Sequence, residues 1–314
     1  MDKNDSQIIF DRLSIKRLRD ASSQLRQTKD FSFSGLKFLH DQTFLPTPNL
    51  SRDIYKLMKS YYEMRPDDNS WQKNRQVPRL QYPYVTMYSP LESGDFVNAE
   101  AAIKSALPEN MINLDIGQRI KRLTSVYAEI DYLHAFWDGN SRVNRAFVQE
   151  MAHASSIVFD FNSITHEIMY VARDKSLLEL NLLRRPEELK TIRHPYNKNA
   201  YIGLQEDLND LNKYYPSVTL ISVFSNIARP LEIDKRAEKV QLAEFLYDCY
   251  LNTTLLSSIE KSAERERLMY ALKKSTPKEI DAFTDKLREK MHKVQETKPV
   301  SKTKDRNRED GRDR

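Results

Sequence analysis

Two apolar stripes at helical spacing, parted by a four-residue turn, limit what this chain can fold into more than any other feature. Ile116, Ile120, Leu123, Tyr127 and Ile130 recur at steps of four and three, so they share one helix face. Val143, Phe147, Met151, Ala154 and Val158 form a second stripe. Between them stands Asp138-Gly139-Asn140-Ser141, a turn signal that ends on a good N-cap residue. The expected unit is helix, tight loop, helix. Long helical periods elsewhere, and only 6 glycines in 314 residues, make the expected fold class mainly α.

The residues at this junction suit anion chemistry. A helix entrance leaves backbone N–H groups unpaired and carries partial positive charge. Gly139 lets the backbone approach an oxyanion closely and take a positive φ. Arg142 and Arg145 are neighbours on the surface of the second helix, and guanidinium groups suit bidentate contact with phosphate. Asp138 can hold Mg²⁺, which takes one or two carboxylates together with waters and substrate phosphates. His134 ends the first stripe and titrates near neutrality, so it can accept a proton from an attacking hydroxyl. Phe136 is expected to anchor the loop in the core.

The stretch His134-Ala135-Phe136-Trp137-Asp138-Gly139-Asn140-Ser141-Arg142-Val143-Asn144-Arg145 resembles the signature of the Fic family, H-P-F-x-[D/E]-G-N-G-R-x-x-R. Most known Fic proteins transfer AMP from ATP to a protein hydroxyl and release pyrophosphate. The resemblance implies a Fic-type helical core with a short β-hairpin flap, followed here by a C-terminal helical extension. It implies His134 as general base and Asp138 as the Mg²⁺ ligand. Gly139, Asn140 and Ser141 would form the anion-binding turn, and Arg142 and Arg145 would grip the outer phosphates. ATP would be the co-substrate and a protein bearing a Ser, Thr or Tyr hydroxyl the target.

Two positions depart from the signature. Ala135 replaces proline. Ser141 replaces the second glycine; at positive φ it would be strained by about 1–2 kcal/mol, and at negative φ it could cap the helix or reach a phosphate. Ser141 therefore leaves two alternatives open: transfer of another group (UMP, phosphate or phosphocholine), or a scaffold whose loop no longer catalyses.

Weaker similarity lies upstream. Leu36-Lys37-Phe38-Leu39-His40-Asp41-Gln42-Thr43-Phe44 resembles an early Fic helix with the pattern L-x-x-I-H-x-x-L-F, in which His40 is expected to be structural. Trp71 through Arg75 is loosely similar to a W-A-G-x-x-R segment. Val77 through Tyr88 is rich in tyrosine, valine and threonine, and reads as an extended segment or hairpin bounded by Pro90 and Gly94. In Fic proteins such a flap pairs with the target's backbone, which would give Tyr82, Tyr84, Val85 and Thr86 a docking role. The family's inhibitory pattern [S/T]-x-x-x-E-[G/N] occurs only as Ser105 through Asn110, where Pro108 would disrupt a helix interior. Inhibition would then come from a separate protein, or the enzyme would be constitutively active.

Composition narrows the remaining classes. Lys+Arg number 50 against 45 Asp+Glu, a net charge of +5, which is too balanced to demand nucleic acid. Cys249 is the only cysteine, so no disulfide framework or thiolate metal site is expected. No basic stretch followed by an apolar run opens the chain, and Val218 to Phe224 is too short for a membrane span, so a cytoplasmic protein is expected. Export through a specialised apparatus, as a toxin or host-directed effector, would leave no such signal.

The organisation expected is a helical segment over 1–29, a catalytic core over 30–182, a linker over 183–199, a helical region over 200–295 and a disordered basic tail over 296–314. A first helix is expected within residues 1–30, carrying Ile8, Ile9, Leu13, Ile15 and Leu18 with basic residues between. Thr276, Pro277 and Glu279 predict a capping box opening the last helix, with Ile280, Phe283, Leu287 and Met291 as its apolar stripe.

Overall fold

The structure is a computed structural model and describes residues 3–66, 68, 71–231, 240, 243, 244, 246, 247, 250, 251 and 258–296. They fall into two compact units, Met1–Leu231 and Glu232–Arg314. The architecture is mainly α, with two small antiparallel strand pairs.

The first unit opens with α1 (Lys3–Thr28), α2 (Phe33–Phe44) and α3 (Arg52–Tyr62). The antiparallel pair β1 (Gln72–Arg75) and β2 (Tyr84–Met87) follows, then α4 (Ser93–Ser105) and the short α5 (Pro108–Met111). Next come α6 (Ile116–Leu133), α7 (Asn140–Ala154), β3 (Ile157–Phe159) and α8 (His166–Arg184). The unit closes with α9 (Pro186–Leu189), α10 (Ala200–Tyr214), α11 (Leu220–Ile227) and β4 (Ala228–Pro230), which pairs with β3.

Helix α6 is the axis of the fold. Asp115 and Gln118 start it with a reciprocal capping box. Its Leu123, Val126, Tyr127 and Ile130 share a core with Val143, Phe147 and Met151 of α7 and with Leu36, Leu39 and Phe44 of α2. The two stripes therefore pack against each other, which fixes the position of the loop between them. Ile116, at the solvent end of the first stripe, is exposed. Val158 lies outside α7: the helix stops at Ala154, Ser156 turns the chain with a φ of 62°, and Val158 continues in β3 opposite Arg229.

A second core joins Tyr84, Val85 and Met87 of β2 to Val171 and Leu178 of α8, Leu189 of α9 and Leu204 of α10. The 183–199 segment is accordingly packed rather than a free connection. Leu189, Ile192 and His194 are buried there, because its few apolar side chains outweigh its polar composition. The break between compact units falls instead after Leu231.

Helix α1 is present over Lys3–Thr28, as expected of this segment. Phe10, Ala21 and Leu25 are buried, whereas Ile8, Ile9 and Ile15 are exposed. The buried side is completed by Ser6 and Ser14, two small polar residues that a count of apolar positions does not mark.

In the second unit, α12 (Ser258–Lys274) and α13 (Pro277–Glu296) contribute Leu268, Leu272 and Ile280 to a small core with Ala243. The capping box is present: the Thr276 N–H donates to Glu279 Oε2 at 2.7 Å, and the Glu279 N–H donates to Thr276 Oγ1 at 3.4 Å. Cys249, the side chain of Met291 and the tail beyond Glu296 lie outside the described residues. No helix among the described residues is long and apolar enough to cross a membrane.

Candidate active site

The loop between α6 and α7 is pinned from three sides. Helix α6 ends at His134, which takes a left-handed conformation (φ 43°, ψ 50°) while its N–H still donates to the Ile130 carbonyl at 3.2 Å. The Arg65 N–H donates to the Ala135 carbonyl at 3.0 Å, and the Trp137 N–H donates to the Glu63 carbonyl at 2.9 Å. Asn140 closes the loop from inside: its Nδ2 donates to the Phe136 carbonyl at 2.6 Å, and its Oδ1 accepts the Phe136 N–H at 3.1 Å. The Asn140 amide is thereby spent on the shape of the loop.

Helix α2 is the floor. The His40 ring stacks on Phe136 at 3.8 Å with an interplanar angle of 7°, and its Nε2–H donates to the Asp138 carbonyl at 3.1 Å. Gly139 has φ 80°, and a Cβ there would overlap the Phe44 ring. Glycine is needed at this point on two counts, conformation and space.

His134 is buried. Lys73 of β1 donates from Nζ to its Nε2 at 3.1 Å, so that nitrogen is the acceptor and the neutral ring carries its proton on Nδ1. The Tyr88 ring stacks on the imidazole at 3.8 Å. Burial, followed by the positive charges of Lys73, Arg173, Arg65 and Arg75, pushes the His134 pKa well below its ordinary value. The chemical species is an uncharged base with its lone pair on Nε2.

The arginines of the motif diverge. Arg145 and Ser141 line a cleft of about 60 Å³ with Thr165, His166, Tyr170 and Arg173. That volume suits a phosphate-sized group or a few waters. Among the described residues no carboxylate pairs with Arg145; its Nε donates to the Ser141 carbonyl at 3.1 Å. Arg142 turns to the other side. It donates to Ser14 Oγ at 3.0 Å, lies 3.5 Å from Asp11, and sits among the rings of Phe10, Phe44 and Tyr61. Ser141 is the second residue of α7 and has no positive φ, so it carries no left-handed strain. The N-cap position belongs to Gly139, two residues earlier than the expected cap.

Two side chains, Tyr88 and Arg75, link His134 to the wall of this cleft. Tyr88, stacked on the imidazole, accepts a hydrogen bond from Arg75 at 3.1 Å, and the Arg75 guanidinium lies 5.4 Å from the ring centroid of Tyr170 in the cleft wall. Arg173 holds the two helices together behind it. It donates twice to Asp131, at 2.8 and 2.9 Å, joining α8 to α6 within the buried interior.

Asp138 is exposed, and its Oδ1 accepts the N–H of Gly139 at 2.6 Å. Burial and the Asp138 charge push the nearby Tyr61 hydroxyl pKa up. Among the described residues no group of three His, Cys, Asp or Glu side chains could hold a metal ion by itself. One exposed carboxylate fits Mg²⁺ of the kind that arrives with phosphates and waters in its remaining positions.

The hairpin has a different first strand from the one the tyrosine-rich stretch suggested. β1 precedes that stretch, and β2 is buried along its length, with Val85 N–H donating to Asp207 at 2.9 Å and Tyr84 hydroxyl donating to Asp174 at 2.7 Å. Of Tyr82, Tyr84, Val85 and Thr86, only Tyr82 is exposed. The solvent-facing strand is β1, whose register runs Lys73 opposite Thr86 and Asn74 opposite Val85.

Sequence reasoning missed Lys73, Tyr88, Asp131 and Arg173. Lys73 had a signal: with Arg75 it stands two residues apart, on one face of a strand beside the motif. Nothing local marks Asp131 and Arg173, which meet only through the packing of α6 on α8.

No family model and no curated protein matches the sequence. Solved structures do. The chain is similar to the BepC protein of Bartonella tribocorum, a VirB-translocated effector with AMPPNP bound, at 13% identity and a TM-score of 0.42, over 73% of this chain and 89% of that one. It is also similar to the N-terminal Fic domain of a cell filamentation protein of Bartonella quintana, a VirB-translocated Bep effector with ADP bound. There the identity is 12% and the TM-score 0.39, over 71% of this chain and 86% of the other.

Proposed function

We propose that this chain is a Fic-type transferase that takes ATP and moves AMP onto a Ser, Thr or Tyr hydroxyl of a target protein, releasing pyrophosphate. The observation that carries the reading is the His134 imidazole. It is buried and neutral, presents an acceptor Nε2, and is linked through Tyr88 and Arg75 to the wall of a cleft lined by Ser141 and by Arg145, which has no carboxylate partner among the described residues. The motif resemblance gives those groups their roles.

In the reaction the acceptor oxygen attacks the α-phosphorus and its proton passes to His134 Nε2. The bond from the α-phosphorus to the bridging oxygen breaks, and pyrophosphate leaves with that electron pair. Arg145, together with the unpaired N–H groups at the start of α7, binds the phosphate oxygens and compensates charge as it develops. Gly139 keeps the helix entrance open by adopting a backbone that other residues resist. Asp138 would hold Mg²⁺, whose charge would neutralise the phosphates.

Arg142 supports a second reading. Its guanidinium is engaged by Asp11 and Ser14, so a single motif arginine faces the cleft. Transfer of a phosphate or phosphocholine group, from a donor with a different phosphate arrangement, suits that geometry; UMP transfer would keep the triphosphate of ATP and change only the base. The target protein, any separate inhibitory protein, and a place of action in the cytoplasm or inside a host cell belong to this proposal too.

The test is mass spectrometry of proteins from cells expressing the wild type or His134→Ala. An AMP adduct on Ser, Thr or Tyr residues with the wild type alone supports AMP transfer. A different adduct with the same dependence selects the second reading. Identical spectra from both strains would remove the catalytic role of His134.

A further inference from the structure

Strand β1 places Lys73 and Arg75 on one face, across from Thr86 and Tyr84 of β2. Both side chains reach the surroundings of His134, but their charges are met differently. Arg75 lies 3.7 Å from Asp174 and donates to the Tyr88 hydroxyl. Lys73 donates to His134 Nε2 at 3.1 Å and lies 5.5 Å from the Tyr88 ring centroid. Among the described residues it makes no ion pair with a carboxylate.

An ammonium group directed at a neutral imidazole is weakly matched. A phosphate oxygen would offer a charge-assisted hydrogen bond, shorter and about twice as strong. Burial and the charges of Arg75 and Arg173 disfavour the ammonium form of Lys73, while Asp138 and Asp131 favour it. Asp138 is thus within electrostatic range of Lys73. The bond has a second consequence. Nε2 carries the lone pair that must take the acceptor's proton, and the Lys73 ammonium occupies it.

Building on the transferase reading, we propose that Lys73 is a further catalytic residue: its ammonium leaves His134 Nε2 for the phosphate oxygens of the bound donor, freeing the base only when the donor is in place. Lys73 stays protonated throughout. The acceptor's proton goes to Nε2, and the lysine gives none up. The arrangement couples donor binding to base availability through one side chain.

The test uses the full chain, Lys73→Met, which keeps length and volume without charge, and Lys73→Arg, which keeps charge. Nitrogen NMR of the imidazole, assigned by its loss in His134→Gln, reads the Nε2 environment directly. Adding AMPPNP with Mg²⁺ to the wild type should move the Nε2 resonance toward its position in ligand-free Lys73→Met. Calorimetry should show AMPPNP binding to Lys73→Met weakened about 10- to 100-fold, the range for a hydrogen bond to a charged group. Adenosine binding should not change, and Lys73→Arg should recover most of the AMPPNP affinity. An Nε2 resonance unmoved by AMPPNP, or equal AMPPNP affinity in the wild type and Lys73→Met, would overturn the role of Lys73 alone. A wild type that binds no AMPPNP would overturn the transferase reading, and the role of Lys73 with it.

Discussion

Alanine at position 139 would set a methyl group against the Phe44 ring on a backbone held at φ 80°. The left-handed conformation alone costs about 1–2 kcal/mol for a residue with a Cβ, and the overlap with a buried ring adds to it. Gly139→Ala is therefore expected to lose at least about 2 kcal/mol in urea unfolding, and to lose nucleotide binding as α7 is displaced. Wild-type stability in that variant would mean that the loop has a second conformation. At His134 the consequence is a pH profile. Its pKa is pushed well below the ordinary histidine value by burial and four cations, so the base stays unprotonated through mildly acidic pH. The acid limb of the transfer rate should then lie well below pH ~6.5, the ordinary histidine value. The depressed value also links to stability. The contribution is complete above the unfolded value and is lost as pH falls from there through the folded one. His134→Gln should flatten that part of the stability profile, as measured by thermal unfolding across pH. These residues were legible because they stand together in twelve consecutive positions. The outward turn of Arg142 was not, since it depends on Asp11 and Ser14, more than a hundred positions away.

Among the elements, α6 and α8 are held by the Asp131–Arg173 pair behind the base. Removing one partner leaves a buried charge unmatched, so Asp131→Ala is expected to cost about 3–5 kcal/mol. Replacing both residues by apolar side chains of similar volume should cost much less. Denaturant unfolding of the single and double variants measures the difference; equal losses would contradict the account. The helices at the site were readable from their periodicity: α6 and α7 fall within a few residues of where apolar spacing puts them. The hairpin was readable only in part. Tyr84 through Met87 has the composition of a strand, but its partner Gln72–Arg75 is a polar tetrapeptide whose pairing is set by register with β2 rather than by propensity. The buried face of α1 was not legible for a related reason. Ser6 and Ser14 are buried where the helix packs closely, and close packing favours small side chains over apolar ones.

For the whole molecule, both cores that surround the site draw on residues before Leu231 alone. A chain ending at Leu231 is expected to unfold cooperatively and to bind AMPPNP within about threefold of the full chain, measured by calorimetry. A truncated chain that is soluble but molten would show that the second unit is needed for the first to fold. The compact-unit boundary was not legible because polar, proline-containing sequence around 183–199 gives the same local signal whether it links units or packs on one. Leu189 and Ile192 decide the matter only through contacts with distant helices. The central claim is that a neutral imidazole at the end of α6 takes the proton of a protein hydroxyl while the entrance of α7 holds a nucleotide's phosphates. Its most direct measurement is transfer of label from α-labelled ATP, with Mg²⁺, to protein by the wild type and His134→Ala. The account predicts stable labelling by the wild type and a loss of about 10²–10⁴ in rate for the variant. Equal labelling by the two proteins would contradict it.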